Sequence, residues 1–178
     1  MDLTSLVSVR TPRVAIVSDS HVPRFAKRLP GAIARIVLEH PTHVLHCGDM
    51  TDIDALADLV SLALFDAVAG NNDDATLERR FGRRKIVDCA GTRIGLVHGD
   101  GLRGSTFERA RDAFANERVD IIAFGHSHVP SCVRLDNRSD NLWIINPGSP
   151  TDKRRQSRYS FAMLEWIDGV CVPRLILF

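Results

Sequence analysis

Five short apolar runs in the chain each end in a polar cluster built from carboxylates, amides and imidazoles. Val14 to Val17 leads into Ser18-Asp19-Ser20-His21, and Val44 to Cys47 leads into Gly48-Asp49. Phe65 to Ala69 leads into Gly70-Asn71-Asn72-Asp73, Ile94 to Val97 into His98-Gly99-Asp100, and Ile121 to Phe124 into Gly125-His126-Ser127-His128. Asp, Asn and Gly are common at the starts of loops. That habit does not explain imidazoles at the ends of strongly apolar runs. Gathered at one rim, Asp19 and Asp49 would repel unless a cation lay between them. Nitrogen and oxygen donors without thiolate suit Mn2+, Ni2+, Fe, Zn2+ or Co2+ better than Ca2+ or Mg2+ alone. Asp19, His21, Asp49, Asn71, His98, His126 and His128 are more donors than one tetrahedral ion needs. Two divalent ions ~3.5–4 Å apart, sharing one carboxylate, would use them all.

The elements that must position these residues follow from periodicity. Val14 to Val17 is apolar on every residue, as in a strand buried on both faces. Pro30 to Glu39 carries Ile33, Ile36 and Val37 at helical spacing, with Pro30 suited to the first turn and Pro41 to stop it. Val44 to Cys47 and Phe65 to Ala69 are further strands. Ile53 to Leu62 places Ile53, Leu56, Leu59 and Val60 on one helical face. Arg84 to Val87 and Arg93 to Val97 flank Ala90-Gly91, a hairpin signal. Ser105 with Glu108 reads as a capping box opening a helix to about Glu117. Ile121 to Phe124 is a strand, and Cys132–Leu135, Leu142–Ile145, Phe161–Trp166 and Val170–Leu177 form a meander of strands without helices between them. Trp143 and Trp166 lie in these strands and are expected in the core. The pattern predicts an α/β fold, a two-sheet α-β-β-α sandwich, with one domain over 14–178 and an N-terminal extension over 1–13. Ligands in open α/β sheets bind outside the carboxyl ends of strands. If the strands share a sheet, the five clusters meet there. Asp19 and His21, like His126 and His128, are two residues apart, so extended backbone would point each pair to one face. Gly48, Gly70, Gly99 and Gly125 would let the backbone turn sharply beside them.

In this order, Asp-x-His, Gly-Asp, Gly-Asn, His-Gly and Gly-His-x-His resemble the calcineurin-like metallophosphoesterases. The short chain is similar to their small bacterial and archaeal phosphodiesterase branch, which shares its fold with a retromer subunit. The resemblance runs from Val14 to about Ser149. It implies one ion held by Asp19, His21, Asp49 and His128, and another by Asp49, Asn71, His98 and His126, with Asp49 bridging. It also implies that Asn146-Pro147-Gly148-Ser149 closes over the site. The implied activity is metal-dependent hydrolysis of a phosphoester, most simply a diester, by attack of a metal-bridging hydroxide, with Mn2+ as the first candidate metal. Many relatives carry His or Cys where this chain has Asn72. An amide can donate to a phosphate oxygen but cannot act as a general acid. Asn72 is therefore expected to contact substrate, and Asp73 to orient Asn71 or an imidazole. Three other readings share the fold or the chemistry: a binding scaffold without turnover, a phosphomonoesterase and a nuclease. A scaffold can lose a ligand without penalty, whereas every motif ligand is present here.

Composition narrows the partners. With 23 Lys+Arg against 22 Asp+Glu in 178 residues, the chain has a formal net charge of +1. That balance disfavours long nucleic acid and leaves a small, nucleotide-like phosphoester as the expected substrate. Self-association into a homo-oligomer is compatible with so small a domain. No apolar run approaches ~18 residues, so no membrane partner is expected. Met1 to Arg10 lacks the features of a secretory signal. Cys47, Cys89, Cys132 and Cys171 are widely spaced, as for free thiols in a reducing compartment, and a cytoplasmic location follows. Gly99-Asp100-Gly101-Leu102-Arg103-Gly104 mimics a dinucleotide loop. It lacks the acidic residue at the end of the next strand, and Asp100 would oppose a pyrophosphate; Asp100 instead suits the charge before the Ser105 helix. His40, His43 and His46 are expected as packed or capping histidines. Two basic stretches, Arg79 to Lys85 and Lys153 to Arg158, are expected as solvated surface, with one of them bordering the rim as the sharper alternative.

Overall fold

The computed structural model describes residues 11–24, 30–137 and 140–178. Strand β1 (Arg13–Val17) begins one residue before the expected boundary. Residues 1–10 of the expected extension lie outside the described residues. Helix α1 (Pro30–Val37), strand β2 (His43–His46), one-turn helix α2 (Ala57–Val60), strand β3 (Leu64–Ala67) and helix α3 (Ala75–Phe81) complete the first half. Then come β4 (Arg84–Cys89), β5 (Thr92–Val97), α4 (Thr106–Asp112), β6 (Ile121–Ala123), β7 (Ser131–Asn137), β8 (Asp140–Asn146), β9 (Ser160–Ile167) and β10 (Val170–Leu177).

The single helix expected over Ile53–Leu62 is instead a 3-10 turn, Asp54–Leu56, running into α2. Asp52 Oδ1 accepts the N–H groups of Asp54 and Ala55, which starts the tight turn. Leu56 then leaves helical geometry at φ −100°, ψ 11°. Helix α3 was not expected. Its cues are local: the Asp74 carboxylate accepts the N–H groups of Thr76 and Leu77, and Gly82 at φ 72° ends it. The Ser105–Glu108 capping box forms, but α4 stops at Asp112, short of Glu117.

Two five-stranded sheets face one another. One runs β10-β9-β1-β2-β3 and the other β4-β5-β6-β8-β7. In the first, β1, β2 and β3 are parallel; in the second, β5, β6 and β8 are. The expected meander is therefore split, with β7 and β8 in one sheet and β9 and β10 in the other. Strand β9 explains why. Ala162, Leu164 and Trp166 enter the layer between the sheets, while Phe161 and Met163 face the opposite side. A strand apolar on both faces needs cover on both, and the place between β1 and β10 supplies it. Val14, Ile16 and Leu45 meet Ile94, Leu96, Ile121 and Ile145 between the sheets. Ile36 of α1 covers one outer face against Ala15 and Val44, and Ala110 of α4 covers the other against Ile122 and Ile144. This is the α-β-β-α sandwich. Trp166 is buried in it and Trp143 lies partly buried against it.

The rim is assembled from both sheets rather than one. The clusters after β1, β2 and β3 come from the first, and those after β5 and β6 from the second. They still converge, because the parallel strands of the two facing sheets end at the same edge.

Candidate metal centre

Five of the expected donors adopt left-handed backbone: Asp19 (φ 54°), His21 (φ 49°), Asp49 (φ 59°), His126 (φ 68°) and His128 (φ 57°). The extended geometry expected for Asp19–His21 and His126–His128 is thus replaced by tight turns immediately past the strand ends. Asp, Asn and His tolerate this region best among non-glycine residues, yet each such residue costs of order 1–3 kcal/mol. A fully buried Ile or Leu contributes about 1.5–3 kcal/mol, so the inter-sheet core can hold the rim in this strained form. The glycines differ in purpose. Gly48 (φ 94°) and Gly99 (φ 86°) do turn the chain. Gly70 and Gly125 instead leave room: a Cβ on Gly70 would lie 2.2 Å from Asp49 Oδ1, and one on Gly125 would lie 2.7 Å from Asp19 Oδ2.

Two triads result. Donor atoms of Asp19, His21 and His128 lie within 4.8 Å of one another, and so do those of Asp49, His98 and His126. Asp19, His21, Asp49, His98 and His128 are buried, and His126 is half-buried. The triads touch: His21 Nε2 is 3.8 Å from Asp19 Oδ1 and 3.6 Å from Asp49 Oδ2. His128 Nε2 is 3.3 Å from Asp19 Oδ1, and His98 Nε2 is 3.2 Å from Asp49 Oδ2.

The imidazoles are held from behind. His98 Nδ1 donates to the Cys47 carbonyl at 2.7 Å, and His128 Nδ1 to the Asp152 carbonyl at 2.5 Å. Both bonds make Nδ1 the outward donor and turn Nε2 toward the carboxylates. His98 Nε2 is left buried without a hydrogen-bond partner. Two buried carboxylates facing that nitrogen need positive charge between them, from the imidazole's own proton or from a bound cation. The donor set therefore fits two divalent ions. Burial alone would raise the Asp49 pKa. The His98 imidazole and the N–H bonds from Asn72 outweigh it and hold the carboxyl well below its ordinary value. Burial would likewise lower His98, but the Asp49 and Asp19 carboxylates push it up to about 9. Burial prevails at His21 and His126, whose pKa values are lowered.

Asn72 stands against Asp49 rather than toward open space. Its backbone N–H donates to Asp49 Oδ1 at 2.8 Å and its side-chain amide to Oδ2 at 2.7 Å. Asn71 is exposed at the edge of the same loop. Asp73 accepts the N–H groups of Asp49, Thr51 and Gly70 at 2.9, 2.7 and 2.8 Å, so it orients backbone rather than an imidazole. The Asn146–Ser149 loop continues inward, with Ser149 Oγ on the Asp19 carbonyl at 2.8 Å and Thr151 Oγ1 on the Ser20 carbonyl at 2.6 Å. Thr151 and Asp152 carry no spacing signal and were not foreseen as parts of the site.

The other histidines stand apart. His46 is buried and hydrogen-bonded to Ser20 Oγ at 2.8 Å, accepts the Gly48 N–H through Nδ1, and is pushed down to about 3 by burial. His43 Nδ1 bonds Thr42. The dinucleotide-like loop is occupied by protein. Arg109 Nε donates to the Gly99 carbonyl at 2.7 Å and Nη1 to the Gly104 carbonyl at 2.5 Å. Much of the first basic stretch is spent internally: Arg83 on Asp100, Arg84 on Glu117 and Lys85 on Asp66. The four cysteines are free thiols. No helix among the described residues is long and apolar enough to cross a membrane.

Fold and rim together define a metallo-dependent phosphatase type of sandwich, with paired carboxylate–imidazole triads between two sheets. The chain belongs to the calcineurin-like phosphoesterase superfamily, whose domain profile matches residues 13–169. It is 30% identical over 145 residues to a probable metallophosphoesterase of Methanothermobacter thermautotrophicus, covering 79% of this chain and 78% of that one. A probable metallophosphoesterase of Methanocaldococcus jannaschii is 33% identical over 156 residues, covering 86% and 76%. Among solved structures, a Thermotoga maritima protein has a TM-score of 0.69 at 29% identity, covering 94% of this chain and 99% of that one. Vps29 of Entamoeba histolytica, complexed with Zn2+, has a TM-score of 0.69 at 21% identity and covers 93% and 98%, a likeness of fold.

Proposed function

We propose that the protein is a two-metal phosphoesterase acting on a small phosphodiester. One observation carries this reading: the buried Asp19 and Asp49 carboxylates lie among the Nε2 atoms of His21, His98 and His128, one of which has no other partner. Asp19, His21 and His128 would hold one ion, and Asp49, His98 and His126 the other, and Asp49, 3.6 Å from His21 Nε2, would be a ligand shared between them. Asn71, in the loop that also carries Asn72, would complete the second set. When bound, two divalent cations supply hydroxide near neutral pH and neutralise charge on phosphoryl oxygens. Mn2+ is the first choice among Mn2+, Ni2+, Fe, Zn2+ and Co2+, given nitrogen and oxygen donors without thiolate.

The chain's own groups do the positioning. The Asn72 amide and Asp73 lock Asp49 in place, and the Cys47 and Asp152 carbonyls aim His98 and His128. With its amide turned to Asp49, Asn72 offers no acid to a departing alkoxide, which favours esters with stabilised leaving groups. The near-balanced charge of the chain favours a small, nucleotide-like ester over a polymer.

The test is turnover of bis-(p-nitrophenyl) phosphate against p-nitrophenyl phosphate by chelated protein reloaded with Mn2+ or Ni2+. Metal-dependent hydrolysis, faster on the diester and lost in Asp49→Ala, is expected. Two bound ions without turnover would instead assign a binding scaffold, and faster monoester hydrolysis would reassign the substrate class.

A further inference from the structure

We propose that Arg83 and Asp100 form a positioning clasp that sets the metal affinity of the Asp49–His98–His126 triad. The inference rests on the two-ion reading above and deepens it. Arg83 lies in the turn between α3 and β4, where the chain passes from one sheet to the other. Its Nη1 donates to the Gly70 carbonyl at 2.8 Å, and its Nη2 to Asp100 Oδ2 at 2.5 Å. The first contact grips the loop that carries Asn72 and Asp73, both bonded at Asp49. The second grips the segment two residues beyond His98. One guanidinium therefore spans loop ends that belong to different sheets and bear donors of one triad. The turn itself is anchored, because the Gly82 carbonyl accepts the Ala69 N–H at 2.7 Å.

A planar fork with several fixed donors can satisfy a carbonyl and a carboxylate at once; an ammonium holds neither direction. The pair is also too exposed to matter much for global stability, with 40% and 22% of the two side chains accessible. An effect concentrated at the site is thus separable from a general loss of folding. The other triad has longer contacts in place of such a tie: the Asp152 carboxylate lies 3.8 Å from His128 Nδ1 and 3.7 Å from Arg154 Nε. Its bracing comes from the Ser149–Asp152 loop, which Arg83 does not touch.

Calorimetric titration of the metal-free protein with Mn2+ tests this. His126→Ala marks which binding step belongs to the clasped triad. Arg83→Met should weaken that step about 10–100-fold, the range found for groups that orient ligands, and leave the other step unchanged. Arg83→Lys and Asp100→Asn should fall between Arg83→Met and wild type. The double variant Arg83→Met/Asp100→Asn should be no weaker than Arg83→Met alone, because the two act as a unit. If Arg83→Met fails to fold, the two milder variants carry the comparison. Wild-type affinity at both steps in the variants, or equal weakening of both with a fall in Tm, overturns the clasp. A wild-type protein that takes up fewer than two Mn2+ overturns the two-ion reading and the clasp with it.

Discussion

Asp19, His21 and His128 are wholly enclosed, whereas Asp49 and His98 share their triad with a half-buried His126. The supports differ in kind as well. Around the enclosed triad the hydrogen bonds are those of neutral groups, Ser149 on the Asp19 carbonyl, Thr151 on the Ser20 carbonyl and the Asp152 carbonyl on His128, with the Asp152 carboxylate only at 3.8 Å from His128. Around the open triad they include side-chain amide and charge: Asn72 on Asp49, Asp73 beneath three N–H groups, and Arg83 across to Asp100. Neutral supports are little affected by salt or pH, while charged ones couple to both. The enclosed triad is therefore expected to retain its ion, and the open one to exchange it.

The largest way to break that contrast is through the groups that serve each triad alone. Asp73→Ala strands the N–H groups of Asp49, Thr51 and Gly70 in partly buried surroundings. It should weaken Mn2+ binding at the open triad about 10–100-fold and lower hydrolysis to match. Ser149→Ala removes one donor to the Asp19 carbonyl and should weaken only the enclosed triad, by about tenfold. Stepwise calorimetry with each variant reads the selectivity. If both variants weaken the same step, the triads are not independently braced.

Next in size is pH. In metal-free protein the fold favours protonated His98, raised to about 9 from an ordinary 6.5. Its contribution to stability is complete below pH 6.5 and is lost as pH rises through about 9. His46 runs the other way. Held neutral down to about 3, it costs stability as pH falls below 6.5, where the unfolded chain takes up the proton first. Thermal melts of chelated protein from pH 5 to 9 should therefore decline on both sides, and His46→Gln should flatten the acid side. An ion at the open triad must displace the His98 proton, so its affinity should rise with pH up to about 9. Titration at pH 7 in two buffers of different ionisation heat should show about one proton released with that ion. Release with the enclosed triad's ion instead would reverse the assignment.

Much of this site is legible as residue type at strand ends, because the parallel strands of the sandwich place the residues that follow them at one edge. Asp49 and His98 could be found that way although they come from different sheets. What the sequence hides is orientation. Nothing in Asp-x-His distinguishes extended backbone from the left-handed turns at Asp19 and His21. Nothing in Asn71-Asn72 says which amide turns to Asp49, since that depends on how the loop is held by Asp73 and Arg83. The splitting of the last strands between sheets was latent in β9, whose apolar residues face both ways, but pairing partners are long-range choices. Helix α3 had clear caps at Asp74 and Gly82, obscured by the charges of Arg79 to Lys85.

The smallest expected effect concerns what draws an anionic substrate in. Arg83, Arg84 and Lys85 of the first basic stretch are paired with Asp100, Glu117 and Asp66. The second begins one residue past Asp152, whose carbonyl holds His128, and it exposes Arg154, Arg155 and Arg158. Arg79 and Arg80 of the first stretch are exposed too, but only the second stretch adjoins a segment that holds a donor imidazole, on the enclosed triad's side. Arg155→Gln/Arg158→Gln should raise KM for a polyanionic ester about two- to threefold at low salt, with kcat unchanged, and the difference should vanish as salt screens it. A small aryl phosphodiester should register less of the change. Equal shifts for both substrates would reduce this stretch to ordinary surface, and the two sides of the rim would then differ in their bracing alone.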